Sequence, residues 1–298
     1  MLAGASPSLG PGPARATARR AYPGRVGGRR GASWTTGPGG SGDEAAPPPS
    51  VQQDPDDRQG WTVVVGGVPS SYVHLADPTR LDFEYVRWTG DLLDVLAPEG
   101  QPLHCVHIGG AGCTLPRYVA ATRPGSRQVV LESDADVVAL ARERFGYSRR
   151  SGFRLRVADG LEGLAALADG AWDVVVRDAF VGAVTPHHLT TTAFLSEVAR
   201  VLAPGGVYVA NIADVPGLGL TRREVATART VLDQVALVGE TQHLRGRRYG
   251  NVLLVASRTA LPVAALTRRV VSGPVPARVV PPADAAAMAA GAPVLDPT

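Results

Sequence analysis

The chain has 298 residues, of which 45% are apolar, and a formal net charge of +3. This length allows one or two domains with full hydrophobic cores. All 30 basic residues are arginine, and six of them fall in residues 1–42, a stretch without acids that carries +6 and leaves −3 for the rest. The uneven charge argues against a basic globular surface, so nucleic acid is not the expected partner.

Cysteine content and hydropathy predict a cytoplasmic protein without a membrane partner. Cys105 and Cys113 are too few for a disulfide framework and lack a metal-ligand spacing, so we expect reduced thiols and no metal. No run of eighteen apolar residues is present. The arginine pairs near the N-terminus are not followed by the apolar stretch that an export signal requires.

The first 98 residues are expected to form a tail and a small unit. Residues 1–60 are rich in Ala, Gly, Pro, Ser and Arg without apolar periodicity, which predicts disorder. Order is predicted to begin at Trp61, with a β-hairpin over 61–75 around the Gly66-Gly67 turn. Apolar residues at helical spacing then predict a helix from Phe83 to Leu96. We therefore expect a small N-terminal unit over residues 61–98.

Residues 99–260 alternate between predicted strands and helices. Strands are predicted at 103–108, 128–131, 153–157, 172–176 and 207–212, and helices at 114–122, 134–145, 161–168 and 191–202. This alternation favours a mostly parallel sheet covered on both faces. A helix at 222–235 and strands at 239–244 and 251–257 would complete a seven-stranded α/β fold with an antiparallel edge. Residues 261–298 are expected to be a Pro/Ala-rich tail with helical patches.

The first predicted strand of this domain leads into a glycine-rich turn. Gly109, Gly110 and Gly112 stand between that strand and the next helix, where small residues let the backbone approach a ligand. His107 and Cys113 beside them are expected to be packed residues. Because strand-to-helix turns favour glycine in any case, the turn alone indicates little.

Three acids at the ends of the following strands strengthen the interpretation. Glu132 ends the second strand, Asp159 with Gly160 follows the third, and Asp178 follows the fourth. Parallel sheets bind ligands at this edge, and a carboxylate at the position of Glu132 can accept both hydroxyls of a ribose. The structural alternatives are helix caps. Ser133 could cap the helix after Glu132, and Asp159 could itself cap the helix that follows it.

These segments together resemble one enzyme family. The motifs Gly109-Gly110-Ala-Gly112, Leu131-Glu132-Ser-Asp134, Val157-Ala-Asp159-Gly160 and Trp172-Asp173-Val-Val-Val-Arg-Asp178 resemble those of the spermidine synthase (polyamine aminopropyltransferase) family, over about residues 61–258. The resemblance implies the Rossmann-like class I S-adenosylmethionine-dependent methyltransferase fold. It also implies transfer of an aminopropyl group from decarboxylated S-adenosylmethionine, or a reaction of S-adenosylmethionine itself, with a small-molecule amine acceptor in polyamine biosynthesis.

The same resemblance implies roles for individual residues. Glu132 would bind the ribose, Asp159 the adenine amino group and Asp178 the attacking amine. Tyr85, in the segment that matches a Tyr-x-Glu element of the family, is a candidate acceptor contact. His187, in the loop after Asp178, either binds the acceptor, relays a proton with His188, or belongs to a polar loop with a helix cap.

Three departures from the family pattern leave the activity open. The family has acids where this chain has Gly112, Arg87 and Val181. A diamine needs a carboxylate at both ends, since desolvating an unpaired ammonium is costly, so an ordinary polyamine acceptor is not expected. A methyltransferase and a catalytically silent nucleoside-binding module remain as alternatives, and a homodimer is compatible with the sequence.

Overall fold

The computed structural model describes residues 47–274 and 277–297. The strands are β1 (Ser50–Gln53), β2 (Gly60–Val65), β3 (Val68–His74), β4 (His104–Ile108), β5 (Arg127–Glu132), β6 (Arg154–Val157), β7 (Trp172–Arg177), β8 (Leu202–Asp214), β9 (Gln234–Glu240), β10 (Gly250–Ser257) and β11 (Ala277–Val280). The helices are α1 (Glu84–Leu96), α2 (Thr114–Thr122), α3 (Ala135–Phe145), α4 (Gly160–Ala165), α5 (Thr192–Val201), α6 (Gly219–Ala228), α7 (Thr241–Leu244), α8 (Val263–Val271) and α9 (Pro282–Met288).

The N-terminal unit is a three-stranded antiparallel sheet in the order β1-β2-β3. Gly66 and Gly67 connect β2 to β3 with φ angles of +56° and +79°, the left-handed values that a tight two-residue hairpin turn needs. The hairpin prediction is therefore confirmed. The predicted disorder up to residue 60 is wrong for β1, which pairs along β2 from Ser50 opposite Val64. Backbone pairing with β2 orders the polar residues of β1, which show no apolar periodicity that could have predicted the strand. Residues 1–46 of the predicted tail lie outside the described residues.

The main sheet has the strand order β11-β9-β10-β8-β7-β4-β5-β6. Strands β4 to β8 pair in parallel, whereas β10 pairs antiparallel with β8 and β9. The mostly parallel α/β fold and its antiparallel edge are thus confirmed. Buried apolar residues lie on both faces of the sheet, beneath α1, α2 and α8 on one side and α4, α5 and α6 on the other.

The C-terminal segment belongs to this domain, contrary to the predicted boundary at residue 260. Strand β11 extends the sheet to eight strands instead of seven by pairing with β9, Ala277 opposite Glu240. Leu295 is buried, and its N–H donates to the Thr227 Oγ1 at 2.9 Å. The sequence did not predict this strand because its four residues are too few to show a sustained alternation, and the segment around them is rich in alanine and proline.

One stretch near the antiparallel edge was predicted with the wrong element types. The helix expected over 222–235 ends at Ala228, and the strand expected over 239–244 is β9, which starts at Gln234 and gives way to α7. The cause is that Val235, Leu237 and their neighbours in β9 are all buried. A strand covered on both faces lacks the alternation that identifies half-buried strands.

Helix α1 is joined to the main domain through a buried arginine. Its inward face, which includes Tyr85, Trp88 and Leu92, repeats at the three- and four-residue spacing of an amphipathic helix. At its end, the guanidinium of Arg123, which is 1% exposed, donates to four backbone carbonyl groups at 2.8 to 3.2 Å. The acceptors are the carbonyls of Leu93, Ala97, Pro98 and Gln101. This anchor fixes the position of the helix that carries Tyr85.

Within the described ranges, no helix combines the length and the apolar composition needed to cross a bilayer.

Candidate functional site

The site lies where the strand order of the main sheet reverses. The chain runs outward from β4 through β5 and β6, then returns to place β7 on the other side of β4. The carboxyl ends of β4 and β7 therefore open a crevice, the place where parallel α/β sheets bind ligands. Asp178 N–H donates to the Ile108 carbonyl at 2.8 Å, so the acid and the glycine turn are adjacent.

Gly109 allows the two strand ends to come this close. Its φ of +87° is left-handed, and a Cβ at this position would collide with the Asp178 carbonyl oxygen. At Gly110 a Cβ would lie 2.7 Å from a Val130 methyl group, so this position also excludes a side chain. The two glycines therefore let the turn pack directly against β5 and the residue that follows β7.

Asp178 stands in an unusual environment for a carboxylate. Burial raises the pKa of Asp178 to about 6, against the opposing effect of the hydrogen bond from Asn211, of the nearby Tyr85 hydroxyl and of the Arg177 charge. The Asn211 Nδ2 donates a hydrogen bond to the Asp178 Oδ1 at 3.0 Å. A carboxylate with this pKa is mostly ionised at neutral pH and still accepts a proton more readily than an exposed aspartate.

Tyr85, on helix α1, lies beside Asp178. Its ring is buried, and its hydroxyl faces the Asp178 carboxylate. Burial, with the neighbouring charge of Asp178, raises the pKa of Tyr85 well above its ordinary value, so the hydroxyl keeps its proton. The structure thus brings together two residues that are 93 positions apart in the sequence.

Asn211 completes this group and was missed by the sequence analysis. It lies in β8 beside Asp178, and its side-chain Oδ1 is buried without a hydrogen-bond partner among the described residues. An unsatisfied buried acceptor of this kind is costly unless a ligand supplies the donor. The available signal was a single amide within the apolar run from Val207 to Ile212.

Glu132 holds the glycine turn. Its Oε2 accepts the N–H groups of Gly110 at 2.8 Å and Ala111 at 3.2 Å, and its Oε1 accepts that of Asp134 at 3.1 Å. The cap of α3 is Asp134, whose Oδ1 accepts the N–H groups of Asp136 and Val137, and not Ser133. Because Oε2 already accepts two bonds and Oε1 accepts one, a lone pair on Oε1 remains for a ribose hydroxyl.

Asp159 both caps a helix and pairs with a histidine. Its Oδ1 accepts the N–H groups of Leu161 and Glu162 at the start of α4, as the structural alternative had it. Its Oδ2 lies 2.7 Å from the His188 Nε2. Although burial opposes it, these hydrogen bonds lower the pKa of Asp159. A Cβ at Gly160, the first residue of α4, would lie 2.5 Å from an Ile108 methyl group.

The loop after β7 separates the two histidines. Both side chains are exposed, and of the two it is His188 that contacts Asp159. Before them, Val181 and Val184 form a tight turn through reciprocal backbone hydrogen bonds, with both side chains exposed. The role of His187 as an acceptor contact stays a prediction, and the structure brings its neighbour to the predicted adenine side.

Gly112 faces the N-terminal sheet. A Cβ there would lie 2.5 Å from a Val73 methyl group and 2.9 Å from the Cβ of Ser71. The Gly112 N–H donates to the Ser71 Oγ at 3.0 Å, and its carbonyl accepts from the Tyr147 hydroxyl at 2.7 Å. This chain therefore has no room for the acid that the family carries at this position, because β3 occupies the space.

Residues 47–274 and 277–297 contain no group of three His, Cys, Asp or Glu side chains arranged to hold a metal ion.

Comparison with known proteins places this geometry in a family. A family model described as a methyltransferase domain matches residues 106–210. A polyamine aminopropyltransferase of Vibrio vulnificus is 30% identical over 186 residues, which is 61% of this chain and 58% of that protein. An eEF1A lysine and N-terminal methyltransferase of Homo sapiens is 30% identical over 122 residues, 37% of this chain and 18% of the relative. Both alignments span less than two thirds of the relative.

Among solved structures, a probable spermidine synthase from Corynebacterium glutamicum superposes with a TM-score of 0.77 and 34% identity. The match covers 84% of this chain and 93% of that one. Human methyltransferase-like protein 13 in complex with SAH shares the fold, with a TM-score of 0.51 and 23% identity over 63% of this chain and 92% of that one.

Fold and relatives together define a transferase with the Rossmann-like class I methyltransferase fold. Within that class, the chain belongs to the spermidine synthase family, as a divergent member.

Proposed function

We propose that the protein transfers an aminopropyl group from decarboxylated S-adenosylmethionine to an amine acceptor. The observation that carries this proposal is the Asp178 carboxylate at the junction of β4 and β7, with a pKa of about 6 and with Tyr85 and Asn211 around it. A sulfonium nucleoside supplies an electrophilic carbon that is already activated. The protein then has to align a neutral amine and remove a proton from it.

The side chains around Asp178 fit an amine. An amine nitrogen brings N–H donors, and the Asp178 carboxylate and the unpaired Asn211 Oδ1 both accept hydrogen bonds. The Tyr85 hydroxyl, which keeps its proton, stabilises the charged carboxylate. When the new nitrogen–carbon bond forms and the carbon–sulfur bond breaks, the electron pair leaves with sulfur. Asp178 takes up the amine proton.

On the nucleoside side, we propose that Glu132 accepts the ribose hydroxyls and that Asp159 accepts the adenine amino group. Gly109, Gly110 and Gly160 pack too closely against their neighbours to carry side chains, so none projects beside these carboxylates. The remaining lone pair on the Glu132 Oε1 and the position of Asp159 at the next strand end support this assignment. The acceptor and nucleoside sites would then meet at the glycine turn.

Methyl transfer from S-adenosylmethionine is the second candidate, and Gly112 favours it. The family acid at this position is absent, and Val73 fills the space where it would stand. Without that acid, the site has one carboxylate fewer to hold the ammonium that distinguishes an aminopropyl donor from a methyl donor. The human methyltransferase relative is consistent with this alternative.

The deciding experiment measures binding and turnover in one preparation. Calorimetric titration with both sulfonium nucleosides gives their affinities. Mass spectrometry after incubation with a panel of mono- and diamines then distinguishes aminopropyl from methyl products. We expect decarboxylated S-adenosylmethionine to bind more tightly and to yield aminopropylated monoamines. Methylated products alone would establish the second candidate, and binding without any product would contradict both.

Two variants locate the chemistry. Asp178→Asn should lower turnover by a factor on the order of 10² to 10⁴ with little change in nucleoside affinity, because it removes the base and keeps the shape. Asp233→Asn, an exposed acid beyond the opposite ends of the parallel strands, is the matched control and should leave both unchanged. Since Asp178 must be ionised to act, kcat/KM of the parent should fall as the pH drops below about 6.

Glu132→Gln tests the nucleoside side. Loss of charge-assisted bonds to a diol, each worth roughly 1.5 to 3 kcal/mol, should weaken nucleoside affinity at least about tenfold. Because Glu132 also accepts N–H groups of the glycine turn, the melting temperature has to be measured alongside. Unchanged affinity in a folded variant would remove Glu132 from the binding site.

A further inference from the structure

A second concave site lies at the outer edge of the main sheet. A cavity of about 470 Å³ opens between α3, the connection before β6, and β6 itself. Its walls carry four arginines over an apolar base formed by Tyr147 and Phe153. The arginines are Arg142, Arg149, Arg154 and Arg156. None of the lining residues belongs to the site at the ends of β4 and β7.

The charge of this cavity is uncompensated. No carboxylate lines it, and within the described ranges none of its four arginines forms an ion pair. Elsewhere, Arg80, Arg200 and Arg269 each pair with an acid. Residues 142–156 hold six arginines and one acid. Such a concentration of like charge repels itself and raises the local concentration of anions.

The four guanidinium groups come from three elements and surround one volume. Arg154 and Arg156 stand two positions apart on β6, so they project to the same side of the edge strand. Arg142 extends from α3, and its Nη2 donates to the Leu155 carbonyl at 3.0 Å, on the unpaired edge of β6. Arg149 comes from the short helical turn before β6. Donors that approach from several sides match an anion with several oxygens.

Arginine is well suited to bind the oxygens of a phosphate group. Its planar guanidinium donates two parallel hydrogen bonds to one phosphate, and it stays charged at any physiological pH. The cavity volume lies in the range of small-molecule sites, too small for a nucleic-acid duplex. Four cations in this space match a ligand with two or more linked phosphates better than a single orthophosphate.

We infer that this cavity is a binding site for a compact polyphosphate anion, either inorganic or the phosphate chain of a nucleotide. The site is separate from the proposed transfer reaction. The Tyr147 hydroxyl, which donates to the Gly112 carbonyl, joins its base to the glycine turn.

Calorimetric titration of the full chain with tripolyphosphate, ATP and orthophosphate tests this inference. Tripolyphosphate should bind at one site and raise the melting temperature, with orthophosphate at least tenfold weaker. ATP as tight as tripolyphosphate indicates recognition of the phosphate chain, and much tighter ATP binding indicates that the nucleoside contributes. No heat and no thermal shift with either polyphosphate would refute the site.

A charge-matched pair of variants separates the cavity from general surface charge. The double variant Arg154→Gln/Arg156→Gln should weaken tripolyphosphate binding at least about tenfold, since it removes two cations that donate charge-assisted hydrogen bonds to the phosphate chain. Arg229→Gln/Arg278→Gln removes the same charge from exposed positions elsewhere and should change affinity less than about twofold. Equal weakening by both pairs would contradict a defined site.

Two further measurements keep the test decisive. If the double variant does not fold, Arg149→Gln, in the exposed turn, should weaken binding by itself. Single-stranded oligoribonucleotides of increasing length provide the last arm. Affinity that grows with length while tripolyphosphate fails to bind would show a nucleic-acid surface, and the inference would be wrong.

Discussion

Asp178→Asn tests the environment of this carboxylate independently of its chemistry. Burial raises the pKa of Asp178 from 3.8 to about 6, so the folded protein binds this proton more tightly than the unfolded chain does. At neutral pH the ionised carboxylate therefore costs folding free energy. That cost disappears as the pH falls from about 6 toward 3.8. Asparagine has the same shape without the charge, and its Oδ1 can still accept the hydrogen bond from Asn211.

The size of the effect follows from the pKa difference. One pKa unit corresponds to about 1.4 kcal/mol, so a rise from 3.8 to about 6 corresponds to about 3 kcal/mol as an upper limit. The carboxylate is only partly buried, and solvent screening reduces this figure. One kcal/mol shifts the melting temperature of a domain of this size by roughly 2 to 4 °C. We therefore expect Asp178→Asn to melt several degrees higher than the parent at pH 8.

The assay is thermal unfolding of the parent, Asp178→Asn and Asp233→Asn at pH 8, 6 and 4.5. Other groups titrate in this range, so the quantity of interest is the difference between parent and variant at each pH. It should be largest at pH 8 and small at pH 4.5, and Asp233→Asn controls for the loss of one exposed charge. A variant that melts lower than the parent at pH 8, or a difference that does not change with pH, would refute the reasoning.

Three further predictions concern buried contacts. Gly112→Asp should destabilise the fold measurably in urea unfolding, because its Cβ meets the N-terminal sheet, and it should not increase turnover with diamines. Glu224→Gln should lower the free energy of unfolding by about 3 to 5 kcal/mol, since Arg177, 2.8 Å away and fully buried, loses its ion partner. Gly250→Ala should lower the melting temperature, because the added methyl group would collide with the His243 ring; an unchanged melting temperature would contradict this packing.

The sequence predicted those parts of the fold in which local pattern and burial agree. Helix α2 begins and ends at the predicted residues, and β4 and β7 follow from short apolar runs before a glycine and an acid. The prediction failed at β9, where Val235 and its neighbours are buried on both faces. It also failed at β1 and β11, which are four residues each. Such strands are stabilised by pairing with distant residues, which no local window contains.

The candidate site divides in the same way. Glu132, Asp159 and Asp178 were identified because strand ends can be located in the sequence and acids there are conspicuous. The resemblance indicated Tyr85 only as a candidate acceptor contact, and its position beside Asp178 was not predicted because it depends on how α1 packs. Asn211 carried a weak signal, an amide within a buried apolar run. Such a signal becomes meaningful only when the neighbouring strand is known.

The guanidinium of Arg123 restricts how ligands can enter. Its four hydrogen bonds hold the end of α1 against the main domain, so a swinging motion of this helix would have to break all of them while leaving a buried cation unsatisfied. Among the described residues, no comparable anchor holds the exposed turn between Val181 and Val184, which follows Asp178 closely in the chain. We therefore expect the acceptor to enter past this turn. The rates at which ligands bind to and leave the site near Asp178 should change on substitution in the turn and not on substitution along α1.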